Sequence, residues 1–198
     1  IGITLAVFAL IATLAVRTGF RAEFVDTILG ANAHVTVYQI PITDDFGKLD
    51  SKIYNYKEMA ESISKVAGVT RAAPLIKSQV MASYSGKRTG IQVFGISQDN
   101  LLTLPRIAMP EKSIGNISDF KKGIAIGSGV ARSLNATIGD KVKLVSPDGL
   151  KTAFGTSPRV KSYEIVYIFT AGRYDIDLTR VYMPFSEAQN YFNSPKAA

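Results

Sequence analysis

The residue types that could do chemistry are few, and their spacing argues against a catalytic centre. The chain has one histidine and no cysteine, so thiolate metal sites, disulfides and cysteine nucleophiles are ruled out. His34 opens a short alternating run, and a histidine metal site needs further ligands that its neighbours do not offer. It reads as a structural or surface residue. A serine triad would need that same histidine, and no G-x-S-x-G elbow occurs. Asp44-Asp45 and the Asp175/Asp177 pair could imitate acid–base couples, yet both sit in polar loops where solvated carboxylates are the default. Gly127-Ser128-Gly129-Val130-Ala131 begins like a nucleotide loop. Arg132 then stands at the sixth position of G-x-G-x-x-G, where a side chain blocks close approach, and no Lys-Ser/Thr pair follows. A tight strand-to-helix turn is the expectation there. With no catalytic residue, metal ligand or cofactor site assigned, the chain reads as a non-catalytic binding module.

Charge narrows the kind of binding. The formal net charge is +7, from 23 Lys and Arg against 16 Asp and Glu. The cations are dispersed: Lys87-Arg88, Lys121-Lys122, Lys141/Lys143 and Arg159/Lys161 are the tightest groups, with no long basic run. Nucleic acid is disfavoured on that pattern. An acidic protein partner or anionic lipid headgroups fit a positive face better.

These residues must be held by elements that the apolar pattern sets out. Residues 1–16, IGITLAVFALIATLAV, carry no charge, and sixteen helical residues span about 24 Å of a roughly 30 Å hydrocarbon core. The segment reads as the C-terminal part of a membrane helix that begins upstream. A signal-peptide core and a buried helix are the competitors, but no small-x-small site follows and no polar stripe is present. From Arg17, Phe20, Phe24, Ile28 and Val25, Leu29 fall at helical spacing, so an amphipathic stalk over 17–30 is predicted, stopped at Gly30. Further on, a strand is expected at 34–39 and a helix capped by Asn55 and Glu58 that ends at Gly68. A hairpin at 75–84 and 89–96 turns at 85–87. Residues 97–122 are weakly patterned. Strands at 124–126, 141–145, 163–169 and 181–183 alternate with helices at 130–134 and 185–192, the last capped by Ser186, and 146–157 is turn-rich. The fold class is α+β.

Several segments taken together resemble the LolC/LolE family of lipoprotein-releasing ABC-transporter permeases, within the MacB-like class. They are GITLAVFALIATLAVRTGFRAEFVDTILGANAHVTV at the start, GVTRAAPLI at 68–76 and GIAIGSGVARSLNATIGDKVKLVSP at 123–147. KTAFGTSPRVKSYEIVYIF and YDIDLTRVYMPFSEAQNYF complete the set. The resemblance implies a mixed α/β Porter-type lobe from 31–97 and 165–198, incomplete as given. A β-rich Sabre-type lobe would be inserted at 98–164. It implies a multi-pass inner-membrane permease without cofactors, this part lying in the periplasm. The expected partners are a separate ABC ATPase subunit, a second permease copy or paralogue, a lipoprotein substrate and a LolA-like periplasmic carrier. Three further membrane helices are expected beyond this stretch.

In the LolC branch a protruding hairpin, the hook, captures the carrier beside a basic pad. The matching hook is 147–158, with Pro147, Leu150, Thr152, Phe154, Gly155 and Pro158. The matching pad is Lys143, Arg159, Val160 and Lys161, where Val160 departs from the family's polar pattern. Apolar groups on a protrusion suit insertion into a greasy cleft. An ordinary surface hairpin is the plain alternative. Other readings are the LolE branch, a MacB-like efflux permease docking a periplasmic adaptor, an FtsX-like domain regulating a cell-wall hydrolase, and a single-pass enzyme.

Overall fold

A computed structural model describes residues 2–29, 32–43, 49–152 and 155–198. The apolar start and the amphipathic stalk form one unbroken helix, α1 (Gly2–Leu29). Its first 20 residues, Gly2–Arg21, have a mean hydropathy of 1.9 and none of that stretch is buried. That length rises about 30 Å, enough to cross a hydrocarbon core. Gly30, expected to stop the helix, lies outside the described residues.

The expected strand at 34–39 does not form. Residues 34–41 run without regular structure, leaving Val35, Val37, Tyr38 and Ile40 exposed. Alternation specifies a face, but a strand also needs a neighbour to take its backbone hydrogen bonds. A two-residue pairing of β1 (Ile42–Thr43) with β2 (Leu49–Asp50) follows. Then comes α2 (Tyr56–Ser64), which starts after Asn55 without the expected side-chain cap bond and stops four residues before Gly68.

The hairpin of β3 (Ile76–Tyr84) and β4 (Lys87–Ile96) turns through Ser85 and Gly86, both at positive φ (46° and 81°). That conformation suits the twist of a two-residue hairpin loop. The weakly patterned stretch folds as α3 (Gln98–Leu102), α4 (Pro105–Ala108), β5 (Lys112–Gly115) and a 3-10 helix at Ile117–Lys122. After β6 (Ile124–Gly127) and α5 (Ser128–Leu134), the long strands β7 (Lys141–Thr152) and β8 (Gly155–Thr170) form a second hairpin. The chain closes with α6 (Tyr174–Thr179), β9 (Arg180–Pro184) and α7 (Phe185–Tyr191). Pro184, not Ser186, precedes α7, and no side chain caps it.

Seven strands lie in the order β5-β8-β6-β9-β4-β3-β7, and β7 pairs back onto β8, so the hydrogen-bonding closes into a circuit. Alternation puts two cores on opposite faces. Val93, Ile124, Ile126, Val181 and Met183 pack with α5 and α7 through Val130, Leu134, Ala188 and Tyr191. Their neighbours Phe94, Ala125 and Tyr182 pack with Leu101, Ile107, Phe120 and Ile176 on the other side. Strands from both expected lobes share this sheet, since β9, β4 and β3 lie side by side between β6 and β7.

Candidate partner-binding site

The hairpin 147–158 grows out of the sheet. β3 pairs with β7 at Ser83↔Lys143 to Met81↔Val145, and β6 pairs with β8 from Ile165 onward. Beyond those points β7 and β8 pair with each other. The register is interrupted between Ser146 and Leu150, then resumes as Leu150↔Ser157, Lys151↔Thr156 and Thr152↔Gly155. The turn-rich composition therefore folds as paired strands. Leu150, Thr152 and Gly155 stand on this ladder, while Pro147 and Pro158 lie exposed below it. Phe154, with Ala153, falls outside the described residues.

The pad positions divide between two faces. Residues directly opposite in an antiparallel ladder share a face, and side chains alternate along a strand. Lys143↔Ser162 and Val145↔Val160 point outward, whereas Leu144↔Lys161 and Ser146↔Arg159 point toward the core and α7. Lys143 and Val160 are thus brought together on one face, and Arg159 and Lys161 on the other.

The inward pair is engaged within the fold. Arg159 Nη1 donates to the carbonyls of Asn190 (3.1 Å) and Tyr191 (2.6 Å) at the end of α7. Cations are favoured there because the last carbonyls of a helix lack partners within it. Lys161 Nζ pairs with Glu187 Oε1 at 2.6 Å, and the same carboxylate oxygen accepts from the Tyr163 hydroxyl at 2.9 Å. Burial pushes the Tyr163 phenol well above its ordinary range, and the Glu187 bond adds to the shift. Tyr191 is pushed up to about 12, mainly by burial, with the Arg159 charge opposing. Both phenols therefore stay protonated donors at neutral pH.

The residues that imitate catalytic groups have packing roles or simple exposure. Gly127 and Gly129 make the expected strand-to-helix turn, and a Cβ at either would run into the backbone of Asp177. The space a phosphate would need is filled by the chain itself. His34 is exposed. Asp175 pairs with Arg173 at 3.1 Å. Asp177, expected to be solvated in a loop, is instead buried on α6 and accepts from Ala171 N at 2.8 Å. Burial raises its carboxyl, with the amides of Ala171 and Gly172 pulling the other way. One helical turn of α6 decides this, and six residues are too few to show a period in sequence. Asp44 and Asp45 lie outside the described residues.

Two contacts that sequence reasoning missed join the domain to the stalk and to the segment that follows it. Arg106 on α4 pairs with Glu23 of α1 at 3.0 Å and with Glu111 at 3.5 Å. Arg180 donates to Asn32 Oδ1 at 2.9 Å and lies 4.5 Å above the Phe94 ring. Neither pair has a local sequence signal, since their partners are 83 and 148 positions apart.

The family profile described as the MacB-like periplasmic core domain matches residues 1–197. The chain is 28% identical over 178 residues to the lipoprotein-releasing system transmembrane protein LolC of Neisseria meningitidis serogroup B, covering 89% of this chain and 41% of that protein. It is 29% identical over 183 residues to LolC of Xylella fastidiosa (strain Temecula1), again covering 89% and 41%. To LolE of Haemophilus influenzae it is 23% identical over 202 residues, covering 96% and 45%. The chain thus spans less than half the length of the curated relatives it matches. Among solved structures, the periplasmic region of MacB from Actinobacillus actinomycetemcomitans superposes with a TM-score of 0.45 at 11% identity, covering 72% of this chain and 60% of that one.

Proposed function

The chain belongs to the family of MacB-like periplasmic core domains, and from that membership we propose that it is the periplasmic part of a lipoprotein-releasing ABC-transporter permease. The whole protein is then a multi-pass inner-membrane subunit that works with a separate ATPase and a second permease copy or paralogue. It releases lipoproteins from the membrane and passes them to a LolA-like soluble carrier, without catalysis of its own. The observation that carries this reading is the near-complete coverage of the chain by relatives named as lipoprotein-releasing proteins. A membrane-length helix on the N-terminal side of the folded domain supports it. So does a hairpin at 147–158 whose described pairing is only between its own two strands.

In this reading the hairpin is the carrier hook, with Pro147, Leu150, Thr152, Phe154, Gly155 and Pro158 forming it. Lys143, Val160 and Lys161 flank its base, and Arg159 holds the base against α7. The Porter and Sabre lobes are proposed at 31–97 with 165–198, and at 98–164. The test is capture of the purified carrier by the full-length permease in nanodiscs. Phe154→Asp should abolish capture and Lys143→Glu should weaken it at least tenfold, while both proteins keep the wild-type melting temperature within a few degrees; adding Lys161→Glu should weaken capture further and also lower the melting temperature, because it breaks the pair with Glu187. Undiminished capture by both variants removes the hook assignment.

A further inference from the structure

The helix α1 is a ruler for the height of the folded domain above a membrane. Its apolar stretch ends at Arg21, and Glu23 lies two residues further on, about 3 Å along the axis. The headgroup layer on one side of a bilayer is about 5–7 Å thick, so Glu23 stands within it. Arg106 of α4 reaches this carboxylate at 3.0 Å. The short helix that carries Arg106 is thereby held at the membrane surface.

The side chains around that contact suit such a position. A Cβ at Gly172 would touch the Glu111 carboxylate and lie 3.7 Å from Arg106 Nη1, so the loop before α6 meets the end of α4 here. Met109 caps α4 three residues after Arg106, and Tyr174 opens α6 two residues after Gly172. Each is 79% exposed, the highest value for a large apolar side chain among the described residues from 49 on. Leu104, Ile107 and Ile176 of the same elements are buried against the sheet, so Met109 and Tyr174 are the outer side of packed structure. One exposed apolar residue needs no explanation; the two most exposed, side by side where the domain reaches the membrane helix, do. Charge does not oppose contact with lipid there, because Arg106 is shared by Glu23 and Glu111 and Arg173 pairs with Asp175.

We propose that Met109 and Tyr174 dock the folded domain on the lipid headgroup layer beside α1. The thioether of Met109 enters the boundary with the acyl chains, and Tyr174 lies with its ring in that boundary and its hydroxyl among the headgroups, the position that tyrosine favours at membrane surfaces. The height set by Glu23 makes lipid the occupant. The proposal rests on the reading of α1 as a membrane helix. A single helix leaves the domain free to swing about its attachment, and a second contact with the bilayer fixes its tilt. Because the neighbouring arginines are already paired, the attachment is apolar and does not depend on anionic lipid.

The test places a bimane label on the full-length permease in nanodiscs, singly at Met109→Cys, Tyr174→Cys or Lys87→Cys, with any cysteine elsewhere in the full chain replaced. Lys87 is the reference, since it starts β4 and lies about 30 Å from Ile96 at the other end. Lipids spin-labelled on the headgroup should quench the labels at 109 and 174 several-fold more than the one at 87, equally in phosphatidylcholine and phosphatidylglycerol discs. With the label at Lys112→Cys instead, Met109→Glu combined with Tyr174→Glu should remove most of the quenching without lowering the melting temperature. Equal quenching at 87, 109 and 174, or unchanged quenching at 112 in the double variant, overturns the contact. Labels at 109 and 174 that escape the lipid quencher but shift to the blue when the ATPase and second permease copy are added put a protein there, and overturn it too. Carbonate extraction of membranes holding the wild-type protein checks the helix separately. Release into the soluble fraction sinks both readings, whereas retention with equal quenching sinks only the docking contact.

Discussion

Replacing Arg159 by alanine should loosen α7 without unfolding the sheet, and the structure gives the size of the effect. The guanidinium reaches from β8 to the last carbonyls of the helix, at 3.1 Å to Asn190 and 2.6 Å to Tyr191. A hydrogen bond from a charged donor contributes about 1.5–3 kcal/mol, and a cation at a helix C-terminus about 0.3–1 kcal/mol more. Asn190 is exposed, so water can replace the longer bond, whereas Tyr191 is buried and its carbonyl loses more. The net loss is then about 2 kcal/mol. Because α7 opens locally before the sheet does, its amides should exchange with solvent about 30-fold faster in Arg159→Ala. Hydrogen exchange read by mass spectrometry on the full-length protein measures this, with the amides of β3 and β4 as internal reference. Exchange in α7 within about threefold of wild type would refute the assignment of Arg159 as a helix anchor and leave its guanidinium available to a partner.

Gly95→Ala should destabilise the domain by about 1–3 kcal/mol, because the added Cβ runs into Ala188 of α7 and lies 3.3 Å from Ile76 Cβ. A melting temperature equal to wild type would show that α7 can shift freely, against its packing here. Tyr84→Phe should raise the Asp140 carboxyl toward its ordinary value. The Tyr84 hydroxyl, 2.6 Å away, is the largest cause of its depression, ahead of the Thr137 amide. A carboxylate depressed in the fold contributes stability above its unfolded pKa that is lost as pH falls through the folded one. The variant should therefore show a shallower loss of stability on the acid side, and an unmoved Asp140 in a carbon-13 titration would contradict this.

The parts of the fold legible in sequence are those where local pattern and tertiary context agree. The β3–β4 hairpin is one, with period-two alternation meeting at a Ser-Gly turn, and the β6–α5 turn at Gly127 is another. Residues 97–122 were not legible because α3 and α4 are five and four residues long. Their signals were single residues: Ser97, whose hydroxyl accepts from Asn100 N at 3.3 Å, and Pro105 at the first turn. The stretch 34–39 failed in the opposite way, since its alternation is clear but no strand comes to pair with it. The candidate site depended on parity. Arg159 and Val160 are neighbours in sequence yet face opposite sides of the sheet, and only the β7–β8 register reveals which side each takes.

The hairpin is built on the sheet rather than on a loop, and that determines where a force on it would go. β8 is one strand from Gly155 to Thr170. Its first half carries the hairpin, and its second half, with Ile165, Tyr167 and Phe169 buried, is gripped by β6 on one side and β5 on the other. A site on such an element is held more firmly than one on a free loop. The Tyr167 hydroxyl donates to the Ile107 carbonyl at 3.2 Å, and the adjacent Arg106 pairs with Glu23 of α1. Strand, short helix and stalk are therefore in direct contact from the base of the hairpin to the membrane-length helix. Contiguity of this kind is what mechanical coupling requires, and it is not coupling until one of these elements is shown to take two arrangements. The ion pair at Glu23 joins a largely exposed carboxylate to a mostly buried Arg106 side chain, 73% against 13% exposed, so it is the contact on that line that water reaches from the stalk side. If the stalk moves against the domain, that is the contact that can break while the buried sheet above it stays intact.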